Sequence, residues 1–214
     1  LKQSLKSLRH NAAAWQDHSL TLVMDGCSVV DICREAEVMP DCIIINPERQ
    51  GASRSRNIGA SATPKYLRQA AMMFVDDDVW MAPDWDTILG AIASDQLMAM
   101  LSGHAHPYNH TVLTDTSRWI ATTVLSTVHI MMPWPVWDAV GWWAEPGGPG
   151  GSEDVDYCKR AVQQFNTPLL VTKPQICLHT GIGSTSGRRL IGWEQAMTNN
   201  HQLERLYKVT GKVL

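Results

Sequence analysis

Carboxylates gather at two places in this 214-residue chain. The first is Asp76-Asp77-Asp78, which follows directly on the apolar run Met72-Met73-Phe74-Val75. Three adjacent carboxylates repel one another, and a hard divalent cation, with its preference for oxygen ligands, offsets that charge. The same triplet also reads as a strand running out into a solvated acidic turn. The second cluster, Glu153, Asp154 and Asp156, stands behind Pro146-Gly147-Gly148-Pro149-Gly150-Gly151. Ser152 is a good helix cap, and carboxylates in a first helical turn favour the helix dipole. A carboxylate among other carboxylates is also a candidate general base, because its pKa is driven toward neutral. The glycine-rich stretch, expected to be the most flexible part of the chain, can then close over a substrate and exclude water.

Nitrogen donors and aromatic rings lie around these clusters. His179 follows an apolar segment; it reads either as a structural histidine or, if it reaches the Asp76–Asp78 turn, as an imidazole ligand suited to Mn²⁺. His104 and His106 alternate along one strand face, with no third partner to make a zinc site. Arg54 and Arg56 flank the start of a helix, a setting that suits phosphate or a nucleotide and equally a solvated basic turn. Arg188 and Arg189, in a late basic loop, can clamp a diphosphate or stand exposed. Trp134, Trp137, Trp142 and Trp143 offer stacking faces for a sugar or base, or fill the core.

The elements that must position these groups alternate. Residues 1 to about 16 carry Leu1, Leu5, Leu8 and Ala12 at helical spacing. Strands are expected at 19–24, 42–46, 72–75, 97–102, 126–132 and 169–172. Helices are expected at about 29–36, 57–69, 83–93 and 152–165. This alternation predicts one α/β domain, Rossmann-like, with a mostly parallel central sheet flanked by helices. In such sheets ligands gather at the carboxyl ends of the strands, where Asp25, Asn46 and Asp76 all stand.

The order of these segments resembles the GT-A fold nucleotide-sugar glycosyltransferases, in particular the inverting family 2. Thr21-Leu22-Val23-Met24-Asp25-Gly26 is similar to the family's strand ending in an Asp that holds uracil. Gln50-Gly51-Ala52-Ser53-Arg54-Ser55-Arg56-Asn57-Ile58-Gly59 resembles its segment beside the nucleotide, and Asp76-Asp77-Asp78 its D-x-D motif. Val128 to Gly141 is similar to the strand and helix before the acceptor site, and Glu153-Asp154 to its E-D motif.

The resemblance implies that Asp25, Arg54, Arg56, Asp76, Asp77 and Arg188 serve the nucleotide. It makes Asp76, Asp78 and His179 the holders of Mn²⁺ or Mg²⁺. Asp154 becomes the base, and Glu153 helps hold the acceptor. Asp77, alternating on an extended chain, is expected to point into the protein. The implied halves are about 1–103 for the nucleotide-sugar and about 104–214 for acceptor and catalysis. The family's first strand is expected upstream of Leu1. Its processive Gln-x-x-Arg-Trp motif is missing, which implies transfer of a single sugar from a UDP-sugar.

Composition narrows the partners. A formal net charge of −3 argues against binding nucleic acid through overall charge. Five cysteines without a C-x-x-C pair suggest neither a disulfide framework nor a zinc knuckle, and point to reduced thiols. No apolar run approaches the ~18 residues of a membrane span. A soluble, cytoplasmic protein is therefore expected, and nothing in the pattern fixes an oligomeric state. The acceptor is expected to be a glycan or lipid-linked sugar, with a hydroxymethylated pyrimidine in DNA as the sharper alternative. The competing functions are a sugar-phosphate nucleotidyltransferase and a non-catalytic nucleotide-sugar-binding module.

Overall fold

The computed structural model describes residues 1–27, 30–68, 71–95, 98–103, 112–145, 153–173 and 175–180. Helix α1 (Lys2–His10) opens the chain and a 3-10 turn at Trp15–Asp17 follows. Then come β1 (Thr21–Asp25), α2 (Val30–Glu35), β2 (Cys42–Asn46), α3 (Ala52–Ala62), β3 (Ala71–Val75) and β4 (Val79–Met81). Helix α4 (Trp85–Asp95) leads to β5 (Leu101–Ser102), β6 (Thr114–Asp115), β7 (Trp119–Thr122) and β8 (His129–Pro133). Helices α5 (Trp134–Val140) and α6 (Glu153–Phe165) precede β9 (Leu169–Thr172) and β10 (Cys177–His179).

Strands β1 and β2 pair in parallel, with Asp25 opposite Asn46 at their carboxyl ends. They form a ladder of their own. The main sheet runs β3-β8-β5-β9-β7-β6 among the described residues. Within it only β5 and β9 are parallel; the other pairings are antiparallel. The fold class stands as α/β, but the sheet is mixed, not mostly parallel. The reason is in the second half: β8 runs against both of its neighbours β3 and β5, β7 runs against β9, and β6 and β7 are joined by a tight turn at 116–118. A turn as short as that between β6 and β7 reverses the chain and cannot make a parallel crossover.

Apolar contacts lock the layers together. The main core joins Met132, Ile130 and Leu169 of the sheet to Trp134, Trp137, Trp143 and Tyr157. A second core packs Trp85, Leu89 and Ile92 of α4 on Val79, Met81 and Leu101. Helix α1 serves two cores from one apolar face, Leu8 in the second and Leu5 in a third with Met24, Cys33 and Val38. Its polar atoms then pin the acidic turn. Ser4 Oγ donates to the carbonyl of Asp77 at 2.6 Å, and Asn11 Nδ2 to that of Met81 at 2.6 Å. Close packing of α3 on β1 depends on Gly59, where an added Cβ would lie 3.1 Å from Val23 Cγ2. All five cysteines are free thiols. Among the described residues no helix is long and apolar enough to cross a membrane.

Candidate active site

The apolar side chains of β3 end at Val75, and the acidic triplet forms a tight turn into β4. The backbone N–H of Val79 closes that turn on the carbonyl of Asp76 at 3.3 Å. Because the triplet is a turn and not extended chain, strand alternation does not apply to it. Asp77 is exposed to solvent, not turned into the protein. Asp76 stays anchored to the sheet through its N–H, which donates to the carbonyl of Val128 at 2.9 Å.

His179 reaches the turn because β10 pairs antiparallel with β4, setting His179 opposite Val79. Its Nε2 lies 3.1 Å from Asp78 Oδ2. The next residue ties the two segments again: the N–H and the hydroxyl of Thr180 both donate to the carbonyl of Asp78 at 2.9 Å. Burial alone would lower the imidazole pKa. The Asp78 carboxylate, with Asp76 and Asp77 near, outweighs that and raises it.

Asp76 carries one further partner of its own. Its Oδ1 accepts from Arg56 Nη2 at 2.9 Å, and the same nitrogen donates to the carbonyl of Thr127 at 3.3 Å. Arg56 is only 8% exposed, with Cζ 5.2 Å from the Trp143 ring centroid. Trp143 in turn stacks on Tyr157 at 3.9 Å. A cation desolvated over an aromatic face is stabilised by the ring quadrupole. Burial raises the Asp76 pKa against the opposing pull of Arg56. Among the described residues no group of three or more His, Cys, Asp or Glu side chains is poised to hold a metal ion; Asp78 and His179 meet, and Asp76 pairs with Arg56.

Asp154 sits in the first turn of α6, beside Glu153. Thr127 holds both of its carboxylate oxygens: the hydroxyl donates to Oδ1 and the N–H to Oδ2, the latter at 3.2 Å. Burial raises the Asp154 pKa; the Thr127 bonds and the Arg56 charge oppose the rise without cancelling it. A half-buried carboxyl with a raised pKa has the character of a candidate general base.

Asp25 has both oxygens engaged at the start of α3. Its Oδ1 accepts from the Gln50 N–H at 2.8 Å and Asn46 Nδ2 at 3.1 Å, and its Oδ2 from the Gly51 N–H at 2.8 Å. Burial would raise its pKa, but these donors lower it. Gly26 makes the turn beside it at φ +71°, and a Cβ there would lie 2.9 Å from the Arg49 nitrogen. Arg54 is exposed on the first turn of α3, 4.0 Å from Glu145.

Sequence reasoning missed two residues in this constellation. Thr127 gave no signal, since threonine is ordinary in a segment entering a strand. Asn57 lay within the quoted nucleotide segment, yet its work is structural. Its Oδ1 accepts from the Trp143 N–H at 2.9 Å and its Nδ2 donates to the Trp143 carbonyl at 3.0 Å. Of the four tryptophans offered as stacking faces, Trp134, Trp137 and Trp143 are core and only Trp142, 62% exposed, is available. Arg188, Arg189, His104, His106 and the glycine-rich stretch lie outside the described residues.

The architecture is the GT-A fold of glycosyltransferases. Over 78% of its length the chain superposes on GalNAc-T7, whose structure was solved with UDP, GalNAc and Mn²⁺, at a TM-score of 0.59 and 12% sequence identity. It spans 38% of that protein's chain. No curated protein matches the chain in a sequence comparison. The family model for glycosyl transferase family 2 matches residues 1–126, and the chain belongs to that family.

Proposed function

We propose that this chain transfers one sugar from a UDP-sugar to an acceptor hydroxyl, with inversion at the anomeric carbon. The observation that carries the reading is the link between its two acidic clusters. Arg56 Nη2 bonds both Asp76 and the carbonyl of Thr127, and Thr127 holds Asp154. Donor and acceptor chemistry can thus share one rigid frame. The solved relative GalNAc-T7 binds UDP and Mn²⁺, which supports a nucleotide-sugar donor and a divalent cation here.

The donor side is assigned to the first half, about 1–103. Asp25 fixes the α3 entrance beside the nucleotide, and Arg54 faces outward near the diphosphate. Asp77 is exposed, and Arg188 is assigned to the diphosphate. Arg56 holds the Asp76 carboxylate in place. Asp78 and His179 set a carboxylate oxygen and an imidazole nitrogen side by side, a donor set that fits Mn²⁺ and, less well, Mg²⁺. Bound there with Asp76, the cation supplies Lewis-acid stabilisation of the charge on the departing UDP.

The acceptor side is assigned to about 104–214. Asp154 takes the hydroxyl proton as the acceptor oxygen bonds to the anomeric carbon, and the sugar–phosphate bond breaks with its electron pair passing to UDP. Glu153 helps hold the acceptor. A glycan or lipid-linked sugar is the proposed acceptor, and exposed Trp142 is a face on which a sugar ring can stack. Supplying UDP-sugars with glycan acceptors and with hydroxymethylcytosine DNA, followed by mass spectrometry of the products, separates these acceptor classes. Asp154→Asn tests the mechanism: transfer should fall at least ~100-fold while donor binding holds. Retained turnover would remove Asp154 as the base.

A further inference from the structure

We propose that Thr127 is the positioning residue of the Asp154 carboxylate, fixing its plane and its direction toward the acceptor. The inference rests on the reading of Asp154 as the base. A carboxylate on a helix turns freely about its terminal bond unless both oxygens are held. Thr127 holds both, from one residue, with two different donors: its hydroxyl on Oδ1 and its N–H on Oδ2. Each oxygen keeps a further lone pair for an acceptor proton.

Thr127 is itself held. It is 4% exposed in the segment between β7 and β8, and its carbonyl accepts from Arg56. The next carbonyl, of Val128, accepts the N–H of Asp76 at 2.9 Å. Two consecutive peptide groups therefore tie the base to the donor-side turn. A shift of Thr127 moves the base relative to the sugar, and misplacement by about 1 Å costs on the order of 100-fold in rate.

The two bonds have a second effect. They favour the ionised carboxylate, the form that accepts a proton, against the burial that disfavours it. The other charged and titratable neighbours among the described residues are Arg56 from α3, and Glu153 and Cys158 on α6 itself.

Thr127→Val keeps the shape and the N–H and removes only the hydroxyl donor. It should lower kcat ~10–100-fold, leave the KM for the UDP-sugar within about two-fold, and move the acid limb of the kcat profile to higher pH. Thr127→Ser, which restores the donor, should return kcat and the limb to near wild type. Should the valine variant misfold, Thr127→Ala reads the same loss without bulk. The carboxyl titration of Asp154, followed by carbon NMR in each variant, should shift upward on loss of the hydroxyl, independently of turnover. Wild-type kcat with an unmoved titration in Thr127→Val or Thr127→Ala would overturn the assignment. Asp154→Asn in parallel separates the two claims. If it is inactive while Thr127→Val is fully active, only the role of Thr127 falls. If it still transfers, Asp154 as base falls.

Discussion

His179 Nε2 lies 3.1 Å from Asp78 Oδ2, although 101 positions separate them in the chain. The contact exists because the last described strand pairs with the short strand that follows the acidic turn. One pairing thus brings a late imidazole to an early carboxylate. The same turn holds Asp76, whose Oδ1 accepts from Arg56.

The raised pKa of Asp154 makes its charge a burden on the fold. In the unfolded chain the group titrates near 3.8 and in the native protein above it. Below 3.8 both states are protonated and the carboxylate takes nothing from stability. As pH rises from there to the native value, the unfolded state loses its proton first and is favoured. Asp154→Asn should therefore raise Tm at neutral pH, and the gain should fade toward zero as pH drops below 3.8. The amide suits the site, since its oxygen can accept the Thr127 N–H and its NH₂ can donate to the Thr127 hydroxyl. Thermal melts from pH 3 to pH 8 read this directly; a loss of stability at neutral pH would contradict it.

Arg56→Met keeps the bulk over Trp143 and removes the charge. Breaking a buried ion pair by deleting one partner costs about 3–5 kcal/mol. Asp76 keeps a third of its side chain open to water, so about 2 kcal/mol is expected here. Urea unfolding near pH 7 should show the midpoint falling with an unchanged slope. A variant as stable as wild type would mean that the pair adds nothing to the fold.

Asn57, 1% exposed, clamps the backbone of Trp143 from both sides. Asn57→Ala leaves a buried N–H and a buried C=O each without its partner, at about 1–3 kcal/mol apiece. A total loss of about 2–6 kcal/mol is expected, read as a lower midpoint in urea unfolding. A loss under about 0.5 kcal/mol would show that water or a local shift replaces the clamp.

Some of this was legible in the chain. Strands β2 and β9 stand where the continuous apolar runs Cys42–Asn46 and Leu169–Thr172 set them, because an unbroken run bounded by turn residues leaves little choice. Helix α6 begins at Glu153 as its acidic first turn signals. Strands β4, β6 and β7 were not legible. Val79–Met81 and Thr114–Asp115 are too short to show a period, and Trp119–Thr122 becomes a strand through its partner β9. Sheet direction was also hidden, since antiparallel pairs such as Phe74 with Ile130 depend on register across distant segments.

Residue type pointed to the carboxylates and to His179, and the fold brings His179 against Asp78. Residue type did not reveal where Arg56 would turn. An arginine at a helix start suits phosphate equally well, and only the fold brings Asp76 against it in a buried pair. Thr127 was invisible for the same reason: its partner Asp154 is 27 positions away, and its hydroxyl acquires meaning only beside that carboxylate.

If Asp78 and His179, with Asp76, hold a divalent cation against the diphosphate of a UDP-sugar, the metal must tighten nucleotide binding. Calorimetric titration of UDP into the protein, with and without Mn²⁺, measures this. Binding should be at least ~10-fold tighter with Mn²⁺, equivalent to about 1.4 kcal/mol, and Asp78→Asn and His179→Ala should each lose that gain. Equal affinities with and without the metal would contradict a cation held there.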